Sequence, residues 1–157
     1  MGQNTTTSFQ PDEAASIDTM VLASGGTWAT FGEIHVGIYS GGNRRGLFTW
    51  DLTTLPPTAV IASATLELKT ASVAGMSSTH AAKLYRVTST FNEDCSWTSR
   101  GSTIGQNWTT AGGDYTTSGG VDFTASNADL TITGDAFTAM VQDAIDNRSQ
   151  SLSFIMG

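Results

Sequence analysis

Apolar positions in this chain recur at every second residue along most of its length and switch to helical spacing once. Ile17, Thr19 and Val21 share a face of an opening strand, and Ile34, Val36 and Ile38 alternate with His35, Gly37 and Tyr39 in a second. Residues 47–52 set Phe48, Trp50 and Leu52 against Leu47, Thr49 and Asp51. Ala64, Leu66 and Leu68 face away from Thr65, Glu67 and Lys69. This period of two marks strands packed on one side. Pro56 and Pro57 cannot donate to a ladder, so they mark the connection between the third and fourth strands. Alternation resumes over 83–88, with Tyr85 and Val87 on one face and Leu84 and Arg86 on the other. Short strands are predicted at 121–124 and 130–133. A last strand places Leu152, Phe154 and Met156 opposite Ser151, Ser153 and Ile155.

Between these strands, Ser24-Gly25-Gly26, Ser40-Gly41-Gly42 and Ser118-Gly119-Gly120 read as turns, and 71–79 as a Gly- and Ser-rich loop. Over residues 135–147 the period changes. Phe137, Met140, Val141, Ala144 and Ile145 fall on one helical face, with Thr138, Gln142, Asp143 and Asp146 opposite. Asp135 is the expected N-cap, and Asn147 with Arg148 suits the C-terminal end. Residues 91–120 are the least regular, a long excursion containing Trp97, Trp108 and Tyr115. About eight strands and one helix predict a mostly β fold: an antiparallel two-sheet β-sandwich, jelly-roll-like, with one short amphipathic helix. A single domain over 1–157 is expected, with an extended N-terminal arm over about residues 1–8.

Composition changes this picture by exclusion. Only 13% of residues are charged and the net charge is −7, so Thr, Ser and Gly fill the polar positions. Seven scattered Lys and Arg residues offer no footprint for a phosphate backbone, which argues against nucleic acid as a partner. No apolar run approaches the roughly 18 residues of a membrane helix, so no membrane partner is expected, and residues 1–7 lack the basic start and apolar core of a secretion signal. Cys95 is the single cysteine, which excludes an intrachain disulfide, and its acidic surroundings oppose a reactive thiolate.

Candidate chemistry is sparse. His35 and His80 have no metal-ligand spacing, no Ser/His/Asp order carries an elbow motif, and no glycine run leads into a phosphate-binding helix. The carboxylate pairs Asp12-Glu13 and Glu93-Asp94 sit in polar loops without an apolar pocket to shift a pKa. No catalytic residue and no enzyme activity are therefore expected. Asn92, Glu93 and Asp94 can supply oxygens to a calcium ion, the one candidate metal set; no other cofactor is indicated. Trp97, Trp108 and Tyr115 have three readings: platforms for sugar rings, plugs that pack the loop onto the fold, or anchors of a protein interface.

The order of these features resembles the DNRLRE domain family. The resemblance runs from Ile17-Asp18-Thr19 through residues 45–56 and 61–68, then Leu84-Tyr85-Arg86-Val87-Thr88, Ser96-Trp97-Thr98, Val121-Asp122-Phe123-Thr124, the helix and the last strand. Thr98 and Gly101 stand where the family usually has an asparagine and a proline. The resemblance implies a β-sandwich related to carbohydrate-binding modules, a fold found on secreted enzymes and adhesins and in structural proteins of tailed phages. With no secretion signal and a hydroxyl-rich surface, the expected function is structural. The expectation is a virion-surface protein of a tailed phage, a capsid decoration or cement protein outside the head shell. It would be a homo-oligomer bound to the major capsid protein or another virion protein, with its apolar last strand docked on a neighbour. The alternative is an extracellular carbohydrate-binding module or adhesin domain with a glycan as ligand, carried by Trp97, Trp108 and Tyr115.

Overall fold

The structure, a computed structural model, describes residues 5–9, 16–28, 33–39, 42–70, 79–126 and 128–157. It is mostly β, with two antiparallel sheets and one helix. The elements are β1 (Ile17–Leu22), β2 (Gly37–Tyr39), β3 (Gly42–Asp51), β4 (Leu66–Leu68), β5 (His80–Val87), β6 (Tyr115–Ala125), β7 (Leu130–Ile132), α1 (Asp135–Asn147) and β8 (Ser151–Met156). Five strands follow the order β1-β3-β8-β5-β6, β2 adds to β3, and β4 with β7 makes a separate two-stranded sheet. Arg44 pairs with Leu22 of β1 and with Gly37 of β2, which puts β2 on the edge of β3 opposite β1. On that edge β8 stops at Met156 opposite Gly46, so the β2–β3 hairpin overhangs the end of β8.

Strand β8 is the centre of the large sheet. Phe154 pairs with Phe48 on one side and Arg86 on the other, and Ile155 with Leu47 and Tyr85. Alternation then sends neighbouring side chains into separate cores. Phe48, Leu84, Val121, Leu152, Phe154 and Met156 join the apolar face of α1 and Leu66 and Ile132 of the small sheet. Leu47, Ile155, Val21 and Val87 face the other way, onto Phe91, Cys95 and Trp108. Phe154 and Ile155 are 0% and 1% exposed, so this strand is buried on both faces. The expectation that the last strand docks on a neighbour is therefore corrected: its apolar side chains complete this chain's own two cores. Burial of each such side chain contributes about 1.5–3 kcal/mol.

Helix α1 packs through Phe137, Met140, Val141, Ala144 and Ile145, the five residues its periodicity selects. Phe137 meets Phe154 edge-on at 6.5 Å, and Phe48 stacks on Phe154 at 5.1 Å. The N-cap is Gly134, at φ 105°, and Asp135 is the first helical residue rather than the cap. Its carboxylate still lies in the first turn, where the helix dipole favours a negative charge. The polar face is not simply solvated. Gln142 receives the Ile61 N–H at 2.7 Å and donates to the Ala59 carbonyl at 3.0 Å, and Thr138 receives the Ala64 N–H at 3.2 Å. The connection after Pro57 is thereby fastened to the helix. At the other end, Asp143 Oδ2 accepts from Arg86 Nη1 at 2.6 Å and from Arg148 Nε at 2.7 Å, tying α1 to β5.

Several boundaries differ from the expected ones. The second strand contracts to Gly37–Tyr39, with His35 before it, while β3 begins at Gly42 and His80 opens β5. Ser118-Gly119-Gly120 lies within β6 rather than in a turn. The register passes from Leu84↔Val121 to Arg86↔Thr116, so residues 117–120 bulge out of the ladder. Of the expected 71–79 loop, residues 71–78 lie outside the described residues, as do Asp12 and Glu13 and the first four residues of the arm. Phe9, which follows that arm, packs against the helix-side core.

Burial would raise the pKa of Asp143, but the Arg148 and Asn147 hydrogen bonds and the Arg86 charge outweigh it and hold the carboxyl below its usual value. A folded pKa below the unfolded one gives stability that is present above the unfolded value, about 3.9, and is lost as pH falls through the folded value. We expect Asp143→Asn to lower stability near neutral pH by about 1–2 kcal/mol, discounted for partial exposure. The same substitution should flatten the loss of melting temperature on acidification below about pH 4, as measured by thermal melts across pH.

Candidate functional site

The second face of the large sheet is covered by the irregular excursion between β5 and β6. Its backbone is hydrogen-bonded onto itself: Asn92 N–H to the Arg100 carbonyl at 2.9 Å, Arg100 N–H to Gln106 at 2.9 Å and Trp108 N–H to Thr98 at 3.0 Å. One further bond fastens it to β1, where the buried Thr19 hydroxyl donates to the Glu93 carbonyl at 2.8 Å. Trp108 is 6% exposed, lies 6.0 Å from Phe91 and donates its indole N–H to the Ser96 carbonyl at 2.8 Å. Of the three readings of this tryptophan, its position matches the plug. Cys95 is buried beside it, and that burial pushes its thiol up to about 12. At neutral pH it is a packed, protonated apolar group.

Asn92 and Asp94 meet beside Gly101. The Asn92 amide and carbonyl close loop hydrogen bonds, and Glu93 offers its carbonyl to Thr19. Asp94 Oδ2 accepts from the Ser102 N–H and hydroxyl, which hold its pKa below the usual carboxylate value. Among the described residues, no three His, Cys, Asp or Glu side chains form a group that would hold a metal ion, and no helix is long and apolar enough to cross a membrane.

Trp97 and Tyr115 do come together, around a residue that pattern reading missed. Arg45 lies on the same face of β3 as Leu47, and its guanidinium carbon is 5.2 Å from the Trp97 ring centroid and 5.2 Å from that of Tyr115. Its Nη1 donates to the Gly112 carbonyl at 3.0 Å. Tyr85 extends the column by stacking on Tyr115 at 5.2 Å and 25°. Arg45, Trp97, Tyr115 and Tyr85 are all half-buried. Gly112, at φ +90°, makes room: a Cβ there would stand 2.8 Å from Arg45 Nη1 and from the Trp97 ring. The available signal was parity, which puts Arg45 on a face with Leu47 and Thr49. No spacing rule connects it to residues so distant in sequence.

Beside Tyr115 an open groove of about 460 Å³ is lined by hydroxyls, among them Thr88, Ser89, Thr109 and Thr117, and by Asp114. Asp114 Oδ1 accepts from the Thr110 N–H and Oδ2 from the Ser89 hydroxyl, both at 2.9 Å. Burial would raise its pKa, but the donors on Thr110, Thr109 and Ser89 win and keep it ionised. This carboxylate therefore holds the loop. Arg45, its flanking rings and the groove can bind by stacking, charge and hydroxyl hydrogen bonds.

Gly101 tests the loop directly. It is buried at φ +120°, and a Cβ would lie 2.6 Å from Asp94 Oδ1 and 2.8 Å from Asn92 Cβ. Gly101→Ala should cost about 1–3 kcal/mol in denaturant unfolding, from backbone strain and overlap together.

No family model, no curated protein and no solved structure matches the chain.

Proposed function

We propose that this chain is a non-enzymatic structural module of a virion surface, a capsid decoration protein bound as a homo-oligomer to the outside of a tailed-phage head shell. Its partner in this reading is the major capsid protein or another virion protein, and its fold is a jelly-roll-like sandwich. The observation that supports it is how side-chain chemistry is divided over the molecule. Asp94, Asp114 and Asp143 hold backbone and neighbouring elements, and the Cys95 thiol is buried. Ile38 of the overhanging β2–β3 hairpin and Val36 just before it, in contrast, stand 80% and 39% exposed. Closed ionisable groups with an apolar projection suit a building block better than proton transfer, which needs an accessible group of shifted pKa. The resemblance to DNRLRE domains supplies the phage setting.

The purified protein should bind saturably to head shells of the encoding phage that lack their outer proteins, measured by co-sedimentation. Ile38→Glu should weaken that binding by about tenfold or more, as expected for a charge placed in an apolar contact. Wild-type protein that stays in the supernatant contradicts the reading.

A second reading, an extracellular carbohydrate-binding module or adhesin, is favoured by Tyr115 bordering a hydroxyl-lined groove. It expects a glycan-array signal that Thr117→Trp, which fills the groove, removes without loss of fold. An array with no signal removes this reading.

A further inference from the structure

We infer that Arg45, with Trp97 and Tyr115, is a docking point for a carboxylate side chain on an acidic segment of a protein partner. The inference rests on the reading of the chain as an assembly component and names the chemistry of what it meets. Charge is the first argument. In a chain with 14 acidic and 7 basic residues, Lys69, Lys83, Arg86 and Arg148 each pair with an aspartate. Arg45, like Arg100, forms no ion pair among the described residues; its side chain makes one hydrogen bond there, to the Gly112 carbonyl, and its stem lies against Gly157.

Geometry is the second argument. The Trp97 and Tyr115 rings lie against the guanidinium, and stacking of this kind leaves its N–H edge as the hydrogen-bonding surface. A carboxylate approaches that edge in plane and can be held by two parallel hydrogen bonds. Because the rings and the Gly112 carbonyl already fix the side chain, little rotamer entropy remains to be lost on binding. Tryptophan, tyrosine and arginine are also the residue types that dominate binding energy at protein interfaces. The groove beside Tyr115 adds the Thr88, Thr109 and Thr117 hydroxyls for a partner's backbone, while Asp114 is already held by Ser89 and Thr110.

The test is an NMR titration of the full chain, following the Trp97 indole and Arg45 Nε resonances, with a short polyglutamate peptide, the matching polyglutamine peptide and polygalacturonate. Saturable shifts at both resonances with polyglutamate, at least about tenfold weaker with polyglutamine and in Arg45→Gln, are expected. Thr117→Glu leaves the Arg45 column intact and places a like charge at the groove. It should weaken polyglutamate binding severalfold at an unchanged melting temperature. No response, an equal response to both peptides, a response kept in Arg45→Gln, or binding of polygalacturonate alone overturns the inference. Arg45→Gln that binds head shells as tightly as wild type overturns it too, while leaving the decoration reading standing. Wild type that binds polyglutamate but no shells does the reverse.

Discussion

Strand β8 is hydrogen-bonded along both edges, to β3 and to β5, and buries apolar side chains on both faces. A strand held this way cannot slip by one residue, because a slip would exchange Phe154 with Ile155 and send each into the wrong core. It also cannot leave one side of the sheet to water. The helix and the small sheet cover the Phe154 side, and the Ile155 side needs a cover of its own. The loop between β5 and β6 is that cover.

From this constraint the site follows. Trp108, Phe91 and Cys95 are buried against Leu47 and Ile155, so the loop is a packed layer with its own hydrogen bonds rather than a free excursion. A loop anchored at its centre carries Trp97 and Gly112 to a fixed place beside β3, where Arg45 meets them, and Tyr115 enters from the start of β6. The same packing takes Trp108 and Cys95 out of contact with ligands and leaves Trp97 and Tyr115 half-exposed. Acidic groups serve the layer as well: Asp94 and Asp114 accept loop N–H and hydroxyl donors and so fix the path of the loop.

Much of this was legible in sequence because it is local. Alternation placed Phe48, Trp50 and Leu52 on one face of β3, separated Tyr85 and Val87 from Leu84 and Arg86, and the helical spacing of Phe137 to Ile145 selected the residues that α1 buries. What failed is tertiary. Alternation of apolar with serine in the last strand suggested one buried face, yet Ile155 alone shows that both are covered. Tyr115 read as loop because the glycines at 119 and 120 hid the strand before them, and a bulge rather than a turn absorbs those glycines. Arg45 stood out only as one of seven scattered basic residues. Only the path of the loop brings the two rings to it, and nothing in the spacing of residues 45, 97 and 115 encodes that path.

The central claim is that residues 91–113 form a core layer over the large sheet. Native-state hydrogen exchange measures it directly. The amides of Asn92, Cys95 and Trp108 and the indole N–H of Trp108 should exchange nearly as slowly as that of Phe154, through global or near-global opening. Exchange at the rates of exposed loop amides, with Phe154 still protected, would show that the sheet is covered on one face only and would contradict the account.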